Sequence, residues 1–114
     1  MTTTSMNKEM TKLVSLIAKA DIPFEIIGTD RISYYDQNEY ITYNIAVPSS
    51  DIANHYSGAM DAASSDSTYG GRDGLIEVMG FRSCEDITNH DVVGWLTAED
   101  AFKLIKQGWE RINK

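Results

Sequence analysis

A single cysteine, Cys84, leaves this 114-residue chain without an internal disulfide. Its stability must come from a buried apolar core, and a cytoplasmic protein is the simplest expectation. No apolar run approaches the roughly 18 residues that a membrane span needs. The first residues, Met1-Thr2-Thr3-Thr4-Ser5, lack the basic and apolar regions of a signal peptide and are expected to be disordered. Basic residues are scarce, 10 against 17 acidic ones, for a net charge of −7. That balance argues against direct nucleic-acid binding, which needs a basic face to displace counterions. It also falls short of the dense negative charge of a phosphate-backbone mimic.

An apolar share of 42% and a charged share of 24% fit an ordinary globular chain, and the length fits one domain over residues 1–114. The acids are unevenly spread. Between Arg31 and Arg72 there is no Lys or Arg, while Asp36, Glu39, Asp51, Asp61 and Asp66 all fall there. A second basic gap, from Arg82 to Lys103, holds Glu85, Asp86, Asp91, Glu99 and Asp100. Solvated loops and helix N-termini account for such acids, and an acidic surface for a basic partner is the alternative.

Met6, Met10, Leu13, Val14 and Ile17 follow the spacing of an amphipathic helix that should stop near Asp21, because Pro23 disfavours helical geometry at Ile22. Strands are expected at Phe24–Gly28 and Ile32–Tyr35, with Gly28-Thr29-Asp30 as the turn between them. Asp36-Gln37-Asn38-Glu39 reads as a second turn. Ile41, Tyr43, Ile45 and Val47 then alternate with smaller or polar residues, the mark of a half-buried strand that Pro48 ends. Ser50 or Asp51 can cap a second helix, with Ile52, Tyr56, Ala59, Met60 and Ala63 as its stripe. Its other face, Ala53, Asn54, Ser57, Gly58 and Ala62, is small and suits close packing inside the fold or a homodimer through residues 53–62.

Strands at Leu75–Phe81 and Asp91–Leu96 flank a polar loop. Thr97-Ala98-Glu99-Asp100 opens a last helix whose core-facing stripe is Ala101, Phe102, Ile105, Trp109 and Ile112. The order α-β-β-β-α-β-β-α, joined by short turns, predicts an α+β domain with a mainly antiparallel sheet and helices packed on it.

Three of the eight glycines, Gly70, Gly71 and Gly74, crowd one loop with Tyr69 and Arg72. Backbone amides and the Arg72 guanidinium in such a loop suit a phosphate or nucleotide. The sequence matches neither G-x-x-x-x-G-K-[ST] nor G-x-G-x-x-G, and a strand follows instead of a helix, so a turn entering a core strand is the simpler reading. His55 and His90 lack metal-ligand spacing, and Cys84 with His90 lacks the setting of a nucleophile–base pair. A small core filler is the usual role of a lone cysteine. No metal, cofactor or catalytic residue is expected, and an enzyme is the last of the readings.

Tyr34, Tyr35, Tyr40 and Tyr43 cluster around the Asp36–Glu39 turn. Core packing with hydrogen-bonded hydroxyls is the simpler reading of such a cluster. The alternative is that exposed tyrosines, which bring large contact area at little entropic cost, anchor a protein partner, whereas Trp95 and Trp109 are expected in the core. A partner surface would combine Tyr34, Tyr35, Asp36, Glu39 and Tyr40 of the hairpin with Tyr69, Gly70, Gly71 and Arg72 of the loop.

The phrases Tyr69-Gly70-Gly71-Arg72-Asp73-Gly74-Leu75-Ile76-Glu77-Val78-Met79-Gly80 and Asp91-Val92-Val93-Gly94-Trp95-Leu96-Thr97-Ala98-Glu99-Asp100-Ala101-Phe102 resemble the C-terminal half of small phage and prophage proteins of Gram-positive bacteria. The resemblance spans residues 67–105 and carries no catalytic residues with it. It implies a context in which small acidic accessory proteins bind and disable a host protein, CRISPR effectors among them, in the host cytoplasm. A small-ligand-binding domain and a self-associating structural component are the competing classes.

Overall fold

The computed structural model describes residues 6–33, 35–48 and 59–113. Helix α1 (Lys8–Lys19) begins where the Asn7 side chain accepts the Met10 amide at 2.9 Å, a standard way of satisfying a free helix-start donor. Met10, Leu13 and Ile17 are its buried stripe, and the helix ends before Asp21, which takes a left-handed conformation at φ 58°. Helix α2 (Ala98–Ile112) is capped twice. Thr97 accepts the Asp100 amide, and Glu9 reaches across from α1 to accept the Ala98 amide at 2.8 Å.

Between the helices run strands β1 (Glu25–Ile32), β2 (Glu39–Val47), β3 (Met60–Ala63), β4 (Ile76–Gly80) and β5 (Val92–Leu96). They form one sheet in the order β1-β2-β3-β4-β5, every neighbour antiparallel. The α+β class with an antiparallel sheet is therefore what the chain adopts. Ile45 and Val47 of β2, Met60 and Ala62 of β3, and Ile76 and Val78 of β4 pack with Leu13 and Ile17 of α1 and Ala101 and Ile105 of α2 in one core. Among the described residues no helix is long and apolar enough to cross a membrane.

Three element assignments need correction. Gly28-Thr29-Asp30 is not a turn: β1 runs through it, paired residue for residue from Glu25 opposite Ala46 to Ile32 opposite Glu39. A continuous ladder with β2 outweighs the local turn preference of Gly-Thr-Asp, and the chain reverses instead at Ser33–Asn38. There the Ser33 amide donates to the Asn38 carbonyl at 3.0 Å, and Gln37 takes φ 63°. Second, residues 50–58 of the expected second helix lie outside the described residues, but Met60–Ala63 is strand β3. Met60 and Ala62 point into the core, and Asp61 accepts a hydrogen bond from Asn44 of β2 at 2.8 Å. A run of small residues fits both a helical and an alternating period, and burial between β2 and β4 decides it. Ala59 and Met60 are buried, as expected of the core-facing stripe, but Ala62 of the opposite small face is buried as well, so that residue is unavailable to a second copy. Third, the loop after β4 contains a 3₁₀ helix, Arg82–Thr88, which carries Cys84 into the core; Thr88 accepts the Gly80 amide at 3.0 Å.

Candidate functional site

Strand β3 covers only residues 44–47 of β2. The connection to β4, residues 64–75, lies beside the other half of β2 and reaches the β1–β2 hairpin tip. It is tied internally: Ser64 accepts from Asn7 and donates to the Leu75 carbonyl, both at 2.7 Å, and Thr68 bonds both the amide and the carbonyl of Ser65. A 3₁₀ turn, Gly71–Asp73, lies within it.

The glycines here serve close approach. Gly70 has φ 90°, and a Cβ on it would lie 2.8 Å from the Trp95 Cα; a Cβ on Gly71 would overlap the Ser65 carbonyl. On the facing strand, Gly94 leaves the corresponding room for Tyr69. The amides of Gly71, Asp73, Gly74 and Leu75 all donate within the loop, to Thr68, Gly70, Gly71 and Gly70 respectively. These four donors are therefore not aimed outward at an anion, and the exposed side chains of the loop include Arg72 and Tyr69.

Two ring contacts stand at this end of the sheet. Arg72 Nη1 donates to the Tyr35 hydroxyl at 3.1 Å, and its guanidinium carbon lies 4.4 Å from the Tyr35 ring centre, a cation–π geometry. Tyr69 stacks on Trp95 with ring centres 5.5 Å apart and planes 25° from parallel. Tyr35, Tyr69 and Trp95 are 63%, 56% and 60% exposed, so a partner could reach all three rings.

Trp95, which the sequence places in the core, lies instead at the surface. Between Ile76 and Val78 the β4–β5 register shifts, and β5 carries an extra residue there. The bulge puts Trp95 in the left-handed region at φ 53°, a strained position for a bulky residue, and turns its ring outward. The Tyr69 carbonyl accepts the Trp95 amide at 3.0 Å and holds the bulge against the loop. Gly94 was the available signal, since a lone glycine in a strand pattern marks a bulge. Trp109 does pack against the core, whereas Ile112, expected on the same stripe, is 38% exposed at the helix end.

Of the other candidate partner residues, Asp36 and Glu39 are exposed and Tyr40 is half-buried; Tyr34 lies outside the described residues. The Asp36 carboxylate accepts the Asn38 amide at 3.0 Å, which closes the turn and lowers its pKa below the ordinary aspartate value. Ser33 approaches Asp66 at 3.5 Å, a second tie between hairpin and loop. Beneath them lies a cleft of about 190 Å³ lined by Met6, Met10, Tyr40, Tyr43, Asp66 and Gly71, among others. On the opposite sheet face Glu77 is held by the Tyr69 backbone, yet its burial, with Asp91 nearby, raises its pKa.

Cys84 is fully buried with its Sγ 3.7 Å from the Gly108 carbonyl, and burial raises its pKa. His90 is exposed in a left-handed conformation at φ 61°, two residues beyond the end of the 3₁₀ helix, whereas Cys84 is buried in the core. His55 lies outside the described residues. Among the described residues no three His, Cys, Asp or Glu side chains converge as metal ligands. Compared with protein-family models, curated proteins and solved structures, the chain matches none of them.

Proposed function

We propose that this is a non-enzymatic binding protein, a phage-type inhibitor of a host defence or regulatory protein, that engages its target through the aromatic–arginine end of the sheet. The observation that carries this reading is the exposure of Trp95, Tyr69 and Tyr35 together with Arg72. Tryptophan, tyrosine and arginine are the residues in which interface energy concentrates. A monomeric fold gains little by leaving three large rings in water, and holding Trp95 there against backbone strain costs stability. The acids Asp36, Glu39 and Asp66 nearby favour a target with a basic rim, and the resemblance of residues 67–105 to phage proteins supplies the host context.

Quantitative capture from a Gram-positive bacterial lysate tests the reading, with the wild-type protein and an Arg72→Glu/Tyr69→Ala variant as parallel baits. A protein retained by the wild type and lost by the variant is the expected result. Equal retention by both baits contradicts the proposed surface. Asp36→Asn, which keeps the turn-closing acceptor, and Glu39→Lys should weaken capture chiefly at low salt.

A further inference from the structure

We infer that β1 is a self-complementary dimerisation edge, through which two copies of this chain join their sheets by antiparallel β1–β1 pairing. Among the described residues β1 is hydrogen-bonded to β2 alone, over eight residues and without a register shift. The Ser33 amide donates to Asn38, and this fixes which groups face β2. In an alternating ladder the odd-numbered residues of β1 then turn their amides and carbonyls to β2, and Ile26, Gly28, Asp30 and Ile32 turn theirs outward. Those four residues are also exposed, Ile26 at 40% and Ile32 at 62%.

An edge of this kind is a template for another strand, and proteins normally blunt it with a bulge, a proline or a short length. The β5 edge is blunted in that way: it has five residues and carries the Trp95 bulge. β1 is not. Its sequence also reads correctly against itself. With Thr29 on the twofold axis, Ile26 meets Ile32 of the second copy, Gly28 meets Asp30, and Ile27 meets Arg31. Every outward amide and carbonyl from Ile26 to Ile32 is paired, the two exposed isoleucines cover each other, and no like charges are opposed. Shifting the pairing by two, with Gly28 on the axis, places Ile26 against Asp30 and leaves Ile32 unpaired. The pattern therefore selects one register as well as one partner.

The test is sedimentation of the purified chain across a wide concentration range, together with cysteine cross-linking. Wild-type protein should move from monomer to dimer, and Ile26→Lys/Ile32→Lys, which faces lysine with lysine, should remain monomeric with unchanged circular dichroism. Opposed residues on the axis lie about 4.5 Å apart between Cα atoms, within reach of a disulfide. Oxidised Thr29→Cys should therefore form a covalent dimer, and Arg31→Cys, distant from its own copy, should not. Buried Cys84 adds no background in either variant. A wild type that stays monomeric at all concentrations overturns the inference and leaves the edge to a peptide of another protein. A dimer unaffected by the lysines, or equal cross-linking at positions 29 and 31, overturns it as well.

Discussion

The two edges of the sheet are built on opposite plans. β1 is long, regular and relaxed, paired along its whole length with β2, and its outward groups repeat at period two. β5 is short, bulged and strained, and its one conspicuous side chain, Trp95, is held outward by a left-handed backbone and a stack on Tyr69. A regular edge recognises through main-chain hydrogen bonds, which any strand can supply, so its specificity rests on register. A bulged edge offers no ladder and recognises through a few large side chains whose positions the fold enforces. One sheet can thus present two kinds of surface, with the strain concentrated where side-chain recognition is expected.

Crowding the β5 bulge should have the largest effect on stability. Gly70→Val places a branched side chain at φ 90° against the Trp95 backbone and should destabilise the fold by about 2–3 kcal/mol, read by urea denaturation. Trp95→Gly should escape the loss that a large-to-small change usually brings. Glycine relieves the positive φ while the stack is lost from a mostly exposed site, so unfolding free energy should stay within about 1 kcal/mol of wild type. A loss of several kcal/mol would mean that Trp95 is a packing residue after all.

Smaller effects belong to the hairpin contact and the sheet interior. Arg72→Ala removes an exposed cation–π pair and should cost no more than about 0.5–1 kcal/mol of stability. Glu77 sharpens the comparison through pH. Burial raises its pKa above the ordinary 4.5, so the folded state binds the proton more tightly than the unfolded state does. Its contribution is fully present below about pH 4.5 and is lost as pH rises through the raised value. Glu77→Gln should accordingly be more stable than wild type at pH 7, and the gap should close on acidification through that window, followed by thermal melts. A gap independent of pH would remove the carboxylate's titration from the account.

How far each region can be read from the chain follows the same division. α1 is legible from its Met10–Leu13–Ile17 stripe and its stop near Asp21, and α2 from the Thr97 cap and its own stripe, because these signals act locally; the Asn7 cap, which starts α1 after Met6, is seen only in the structure. β2 is legible because Ile41, Tyr43, Ile45 and Val47 alternate in the sequence, although Thr42 and Ala46 of the other face are buried as well. The continuity of β1 through Gly28–Asp30 is not, since it depends on a partner strand fifteen or so residues away. β3 is obscured by small residues that satisfy two periods, and only its place between β2 and β4 selects one. Tyr35 and Arg72 can be singled out from composition and spacing, but the contact between them exists only because β3 ends early and the 64–75 loop takes its place. Trp95 inverts the usual inference from apolarity to burial, because the bulge, and not hydrophobicity, sets its direction.

The most direct test of the central claim is the affinity of the captured target for Trp95→Gly against wild type, measured by calorimetry on purified proteins. A target anchored by the aromatic–arginine end should bind the variant at least about 30-fold more weakly, the loss of a hot-spot side chain, while the fold keeps its stability. Unchanged affinity would contradict the account and place recognition elsewhere on the molecule.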